Sequence, residues 1–193
     1  MNRRRIGIFG GSFNPIHFGH IRLARHIRKE AALDELWFMV SPQNPLKVSH
    51  TLLSDDKRLQ LVRLALQREK GLKACDYEFR MPKPSYTWNT LQALAADYPD
   101  HHFVLVIGAD NWACFDQWFR ADDIVASYDI VVYPRQGSDI DESVLPTNVS
   151  VVHTPLFPFS STQVRQRIAA GKSIRGMVPR AVERMIAEQG LYR

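Results

Sequence analysis

The stretch Ile6-Gly7-Ile8-Phe9-Gly10-Gly11-Ser12-Phe13-Asn14-Pro15-Ile16-His17-Phe18-Gly19-His20 changes its periodicity halfway along. Ile6 to Phe9 is a short apolar run that reads as a buried first strand, and Gly10-Gly11 reads as a tight loop at its carboxyl end. From His20 the apolar spacing is helical, with Ile21, Ala24 and Ile27 on one face. A glycine loop between a strand and a helix suits phosphate, because backbone N–H groups without side chains can approach oxyanions closely. His17 and His20, three residues apart at the helix start, reach the same side of it beside that loop. An ordinary imidazole pKa of about 6.5 lets modest surrounding charge select the protonated form next to phosphate. The plainer alternative is a pair of histidines that only cap the helix.

Outward from this stretch, strand-like runs alternate with helical spacings. Leu36 to Val40 reads as a second strand and Lys73 to Phe79 as a less apolar third. Phe103 to Ile107 is the clearest buried strand, and Asp129 to Tyr133 and Val149 to His153 follow. Ser54 can cap a helix that places Leu59, Val62 and Leu66 on one face. The helix after Thr87 is expected to turn Leu91, Leu94 and Ala95 inward. Two more helices are expected at about 161–171 and 179–189, with Gly190 placed to end the second. The alternation predicts an α/β chain with a doubly wound, mostly parallel sheet of Rossmann-like type, and residues 1–193 as a single domain. Ligands bind such sheets outside the carboxyl ends of the strands, near a switch in strand order. Gly10 to His20, Ser41 to Lys47 and Gly108 to Asp110 all follow predicted strands. Residues 135–148, acidic and small, are the expected mobile loop.

Composition narrows the setting. At 193 residues the chain can bury a sizeable core, and 45% hydrophobic content with mixed charges is that of a soluble globular protein. No apolar run approaches the roughly 20 residues a membrane span requires. Arg3-Arg4-Arg5 leads into a strand-like run and glycine, which is not a signal-peptide pattern. Cys75 and Cys114 sit far apart with no metal-like spacing and read as reduced structural thiols. Together these features point to the cytoplasm. The formal charge of +5 is compatible with polyanionic ligands. The basic residues are scattered over helices, however, with neither the stripe nor the module that nucleic acid binding needs.

Several other segments could carry chemistry. In Phe159-Ser160-Ser161-Thr162-Gln163-Val164-Arg165 the hydroxyls can cap the following helix, which is a complete structural account, yet the same geometry offers donors to a phosphate. Lys47 ends a Pro-bounded loop, Pro42 to Lys47, stiff enough to aim it. Ser85-Tyr86-Thr87 precedes a helix and could again be a cap. Asp110 follows a buried strand and Gly108, a place where a carboxylate is unexpected for packing and suits a ribose hydroxyl. Trp118 read without context is a core residue, as are Trp37, Trp88 and Trp112. No acidic cluster has metal-ligand spacing.

Written together, Gly10-Gly11-Ser12-Phe13-Asn14-Pro15-Ile16-His17-Phe18-Gly19-His20 resembles the H-x-G-H motif of the nucleotidyltransferase superfamily. Phe159 to Arg165 resembles that superfamily's second motif, I-S-S-T-x-I-R. Pro42-Gln43-Asn44-Pro45-Leu46-Lys47, Ser85-Tyr86-Thr87, Gly108-Ala109-Asp110 and Trp118 are similar to segments of the bacterial nicotinate mononucleotide adenylyltransferases. The resemblance runs from residue 6 to Gly190-Leu191-Tyr192-Arg193.

The resemblance implies transfer of the adenylyl group of ATP to nicotinate mononucleotide, with pyrophosphate released. It implies that Gly10, Gly11, Ser12 and Phe13 shape the loop seating the ATP phosphates, and that His17, His20 and Arg165 stabilise the reacting α-phosphate. Lys47, Ser161 and Thr162 are expected on ATP phosphates and Asp110 on a ribose. Asn44, Ser85, Tyr86, Thr87 and Trp118 are expected around the mononucleotide, with Trp118 stacking on the pyridine ring. Many relatives carry histidine where this chain has Leu46. The implied partners are ATP, with Mg²⁺ arriving on it, and nicotinate mononucleotide, with no tightly bound cofactor and no nucleic acid or membrane. The oligomeric state stays open, a homo-oligomer included. A phosphopantetheine adenylyltransferase, a cytidylyltransferase or a non-catalytic nucleotide sensor would share the H-x-G-H segment.

Overall fold

The computed structural model describes residues 3–42, 52–138, 140–155 and 157–193. Along the chain run β1 (Arg4–Gly11), α1 (Phe18–Glu30), β2 (Glu35–Val40), α2 (Asp55–Leu66) and β3 (Leu72–Cys75). There follow α3 (Thr87–Asp97), β4 (His101–Gly108), a short α4 (Ala109–Trp112), α5 (Ala121–Ser127), β5 (Asp129–Tyr133), β6 (Val149–Val151), α6 (Ser161–Ala169) and α7 (Arg180–Glu188). The six strands form one sheet in the order β3-β2-β1-β4-β5-β6, and every pairing is parallel. This is the expected doubly wound arrangement. Its order reverses between β1 and β4, so the carboxyl ends of those two strands flank a crevice.

Alternating residues on the strands feed two cores, one on each face. Phe103, Leu105 and Ile107 of β4 pack with Ile6 and Ile8 of β1 on the face covered by α3 and α5, through Leu91, Leu94 and Ile124. Val104 and Val106 face the other way with Phe9 and Phe38, under α1, α2, α6 and α7 through Ile21, Leu59, Val164 and Val182. Strands buried on both faces lose the polar alternation of a one-sided sheet, which is why Phe103 to Ile107 reads as a continuous apolar run. Burying one such Leu, Ile or Phe side chain stabilises by about 2 kcal/mol, so both layers contribute heavily.

Several boundaries differ from the sequence expectation. Gly10 and Gly11 are not a loop: they continue β1, opposite Met39 and Val40, because β2 extends as far and the ladder goes on. The turn comes later, at Phe13, whose φ of 44° is left-handed although it is not glycine. The third strand stops at Cys75, where its partner Met39 is reached, and Tyr77–Arg80 winds into a 3₁₀ turn that carries Glu78 inward. Ala95 is exposed, and Thr90 takes the inward place beside Leu91 and Leu94. The last strand ends at Val151 rather than His153. Within 135–148 a 3₁₀ turn forms at Glu142–Val144. Gly190 does end α7, at φ 59°, and Leu191 N–H returns to Ile186 O at 3.0 Å.

Candidate active site

A cleft of about 1030 Å³ opens at the carboxyl ends of β1 and β4. Gly10, Gly11, Ser12, Phe13, His17 and His20 line it from the β1 side, and Ser161, Thr162 and Arg165 from α6. Ser85, Tyr86, Thr87, Asp110 and Trp118 line it from the β4 side. Two segments 150 residues apart thus meet over one space. Asn44 and Lys47 lie outside the described residues, as does Leu46.

The histidines do cap the helix, and they do so reciprocally. His17 is the N-cap of α1; its Nδ1 accepts the His20 N–H at 3.4 Å while His20 Nδ1 accepts the His17 N–H at 3.3 Å. The two rings stack with centroids 3.7 Å apart. Since both Nδ1 atoms accept, the proton of each neutral ring sits on Nε2, which is left as a donor. Capping and presentation to the cleft are therefore one arrangement, not rival explanations. Without a phosphate beside them, both histidines are held toward the neutral form. Burial first, and then the Arg135 guanidinium, lower His17 to about 4. Burial, His17 and Arg135, in that order, hold His20 well below its ordinary value.

Gly19 explains the spacing between them. A Cβ there would lie 2.9 Å from the His17 ring, so a side chain would push the imidazole out of its cap. At Gly10 a Cβ would meet nothing within 4 Å among the described residues. Gly10 is bare toward the cleft itself, as a close approach by a phosphate requires.

Ser160 caps α6 in a second reciprocal box with Gln163, so this hydroxyl is structural. The next residues reach across to the β1 turn. Ser161 Oγ donates to Pro15 O at 2.9 Å, and Arg165 Nη1 donates to Asn14 O at 2.8 Å while its Nη2 meets Thr162 Oγ1 at 3.2 Å. The α6 start and the histidine loop are thereby fixed to one another. Arg167 is exposed and bonded to Ser173 O.

On the β4 side, Tyr86 is the N-cap of α3 without a side-chain bond, leaving the Thr87 end of the helix open to the cleft. Trp118 packs against Phe115 at 5.1 Å between centroids, and its Nε1 is buried with no hydrogen-bond partner among the described residues. Asp110 sits where Gly108 has no side chain; a Cβ there would collide with the Asp110 carboxylate. Arg135 Nε is 3.5 Å from Asp110 Oδ1, an ion-pair distance with no hydrogen bond, and this oxygen is otherwise buried and unbonded among the described residues. Among the described residues no three His, Cys, Asp or Glu side chains gather as a metal site.

Sequence reasoning missed Arg135 and Glu78, both on the cleft wall. Arg135 follows β5 just as Asp110 follows β4, so the rule of carboxyl ends pointed to it, but its place in a polar loop hid it. Glu78 left no signal, because a strand was expected there. Its carboxyl is buried and accepts Thr90 Oγ1 at 2.9 Å and Ser85 Oγ at 3.2 Å. Burial pushes it up, against hydrogen bonds from Ser41, Thr90 and Ser85 that pull the other way.

A family model for cytidylyltransferase-like proteins matches residues 8–167. Over 189 residues the chain is 47% identical to a Bacteroides fragilis protein named "Probable nicotinate-nucleotide adenylyltransferase", covering 98% of this chain and 94% of the relative. A Flavobacterium johnsoniae protein of the same name is 39% identical over 191 residues, covering 98% and 99%. Plasmodium falciparum nicotinic acid mononucleotide adenylyltransferase, solved with NaAD, is similar in fold with a TM-score of 0.82 at 19% identity, covering 98% of this chain and 97% of that one.

Proposed function

The chain belongs to the cytidylyltransferase-like nucleotidyltransferases, within them to the nicotinate-nucleotide adenylyltransferases, and from that premise we propose how its cleft makes nicotinate adenine dinucleotide. The mononucleotide phosphate attacks the α-phosphorus of ATP; the new P–O bond forms as the bond to pyrophosphate breaks. That phosphate is already anionic at neutral pH, so no base is needed to activate it. The protein's tasks are in-line placement and stabilising charge on the transferring group.

The observation that carries this reading is the junction of the histidine loop with the α6 start. Neutral Nε2–H groups of His17 and His20, and the Arg165 guanidinium, are the donors for the α-phosphate; Ser161 and Thr162 flank them. Gly10 and Gly11 leave room for the phosphates, and the buried Phe13 ring shapes the turn. Neutral imidazoles donate hydrogen bonds without the cost of burying two stacked cations, and an arriving polyanion raises their pKa values. Lys47 and Asn44 keep their assignments to ATP phosphate and mononucleotide by family position alone. Mg²⁺ enters as part of MgATP, held by phosphates and water.

For the acceptor, the open start of α3 at Tyr86-Thr87, with Ser85 before it, suits the nicotinate carboxylate. Trp118 offers a face to the cationic pyridine ring. Asp110 serves a ribose hydroxyl. We read residues 1–193 as one catalytic domain working in the cytoplasm; among the described residues no helix is long and apolar enough to cross a membrane.

Parallel assays of pyrophosphate release with nicotinate mononucleotide, its amide and phosphopantetheine test the acceptor. Preference for the nicotinate form is expected. Preference for phosphopantetheine would overturn the reading, and no release with any acceptor would indicate a nucleotide sensor.

A further inference from the structure

The turn after β1 has its carbonyl oxygens taken up from outside itself. Arg58, wholly buried on α2, donates from Nη1 to Ser12 O at 2.7 Å. Arg165 takes Asn14 O and Ser161 takes Pro15 O. Asn14 itself is 4% exposed, and its Oδ1 accepts Tyr192 Oη at 2.8 Å and Leu53 N–H at 3.3 Å. Tyr192 lies beyond α7 and is left-handed at φ 65°, an unusual state for a residue with a side chain. After the turn at Gly190 the chain folds back, and the Tyr192 ring packs, partly buried, against the core cluster that includes Ile21, Leu59 and Val182. Its hydroxyl lies within the influence of both Arg58 and Arg165, and burial pushes its pKa upward, so it stays a donor.

A strained backbone that delivers one hydroxyl to one buried amide is more specific than packing requires. Asn14 is also the residue whose carbonyl Arg165 grips. We propose that Tyr192 is a positioning residue for the phosphate loop: its hydroxyl holds Asn14 where Arg165 and Ser161 clamp the same turn, and so sets where the ATP phosphates sit. The inference rests on reading the cleft as an ATP site. It separates two contributions of Tyr192, ring packing for stability and the hydroxyl for ligand geometry.

Tyr192→Phe keeps the ring and removes only the bond. MgATP affinity is measured by calorimetry without any mononucleotide, together with turnover and thermal midpoint. Loss of one buried bond that orients reacting groups should raise the MgATP Kd about fivefold and lower kcat about tenfold. The KM for nicotinate mononucleotide should stay within about twofold and the midpoint within about 3 °C. Leu191→Ala disturbs packing of the same segment without touching Asn14; it should lower the midpoint and leave MgATP affinity intact. Unchanged MgATP affinity and turnover in Tyr192→Phe overturns the proposal, as does an equal loss of affinity in Leu191→Ala. Because MgATP binding is read alone, a wild-type protein that binds MgATP but ignores nicotinate mononucleotide counts against the acceptor, not against Tyr192. A wild-type protein that binds no MgATP overturns both.

Discussion

Glycine has two distinct tasks in the histidine loop, and substitution separates them. Gly19→Ala puts a methyl group 2.9 Å from the His17 ring, so the cap and the catalytic donor are displaced together. Turnover should fall about 100-fold with a lowered thermal midpoint, effects of the size seen when one oriented donor is misplaced. Gly10→Ala meets no side chain or backbone of the described residues beyond its chain neighbours within 4 Å, so the fold should survive while MgATP affinity falls, a split that melting and calorimetry on one sample would reveal. His20→Ala should lower kcat by roughly 100-fold or more while weakening ATP binding far less, because the contact strengthens in the transition state. Near-normal turnover would remove His20 from that role. His17 also makes the fold acid-sensitive. The unfolded chain takes up a proton there at an ordinary 6.5, whereas the folded protein resists until about 4. More protons bind to the unfolded state across that window, so stability falls with pH by about 3 kcal/mol and no further below it. Urea titrations at steps from neutral to acid should show this slope, and His17→Asn should reduce it, leaving the part that His20 contributes. Glu35 acts at lower pH: burial raises it, but Lys73, Trp37 and Arg4 outweigh burial and bring it to about 2.

At the scale of elements, the cleft is built from helix starts and strand ends whose capping groups are explicit. Ser160→Ala removes one side of the α6 box and should cost about 1 kcal/mol in chemical denaturation, with turnover falling because Ser161 and Arg165 ride on that helix. Much of this level was legible beforehand. The central strands announced themselves through β-branched runs, and α1, α3 and α6 through spacing and caps. The histidine pair was legible as a candidate site, but its charge state was not, because it is set first by burial and then by Arg135, from a loop more than 100 residues away. The glycines misled: Gly10-Gly11 suggests a turn, but a sheet accepts glycine when the partner strand runs on, and the turn fell to Phe13. The third strand was overextended because Tyr77 to Phe79 suits a strand locally, while the Glu78 carboxyl is satisfied only by turning in toward Ser85 and Thr90. Those hydroxyls have no signature in the local sequence.

Across the whole molecule, strand order does what no single motif can. Placing β1 beside β4 sets the histidine loop against Asp110 and Arg135, and α6 closes the same space from a distant part of the chain. In the proposed reading the β1 side and α6 supply donors to phosphate, while the β4 side with Tyr86-Thr87 and Trp118 selects the acceptor; what the fold itself places together is their common lining of one cleft. The α-phosphorus of ATP, not the γ, is the point of transfer, and nicotinate mononucleotide receives it. The most direct measurement follows phosphate labels. The protein is incubated with nicotinate mononucleotide and ATP labelled at the α- or the γ-phosphate in separate reactions. The α-label should appear in nicotinate adenine dinucleotide and the γ-label in pyrophosphate. A γ-label on the mononucleotide, or an α-label that never leaves adenosine phosphates, would contradict this.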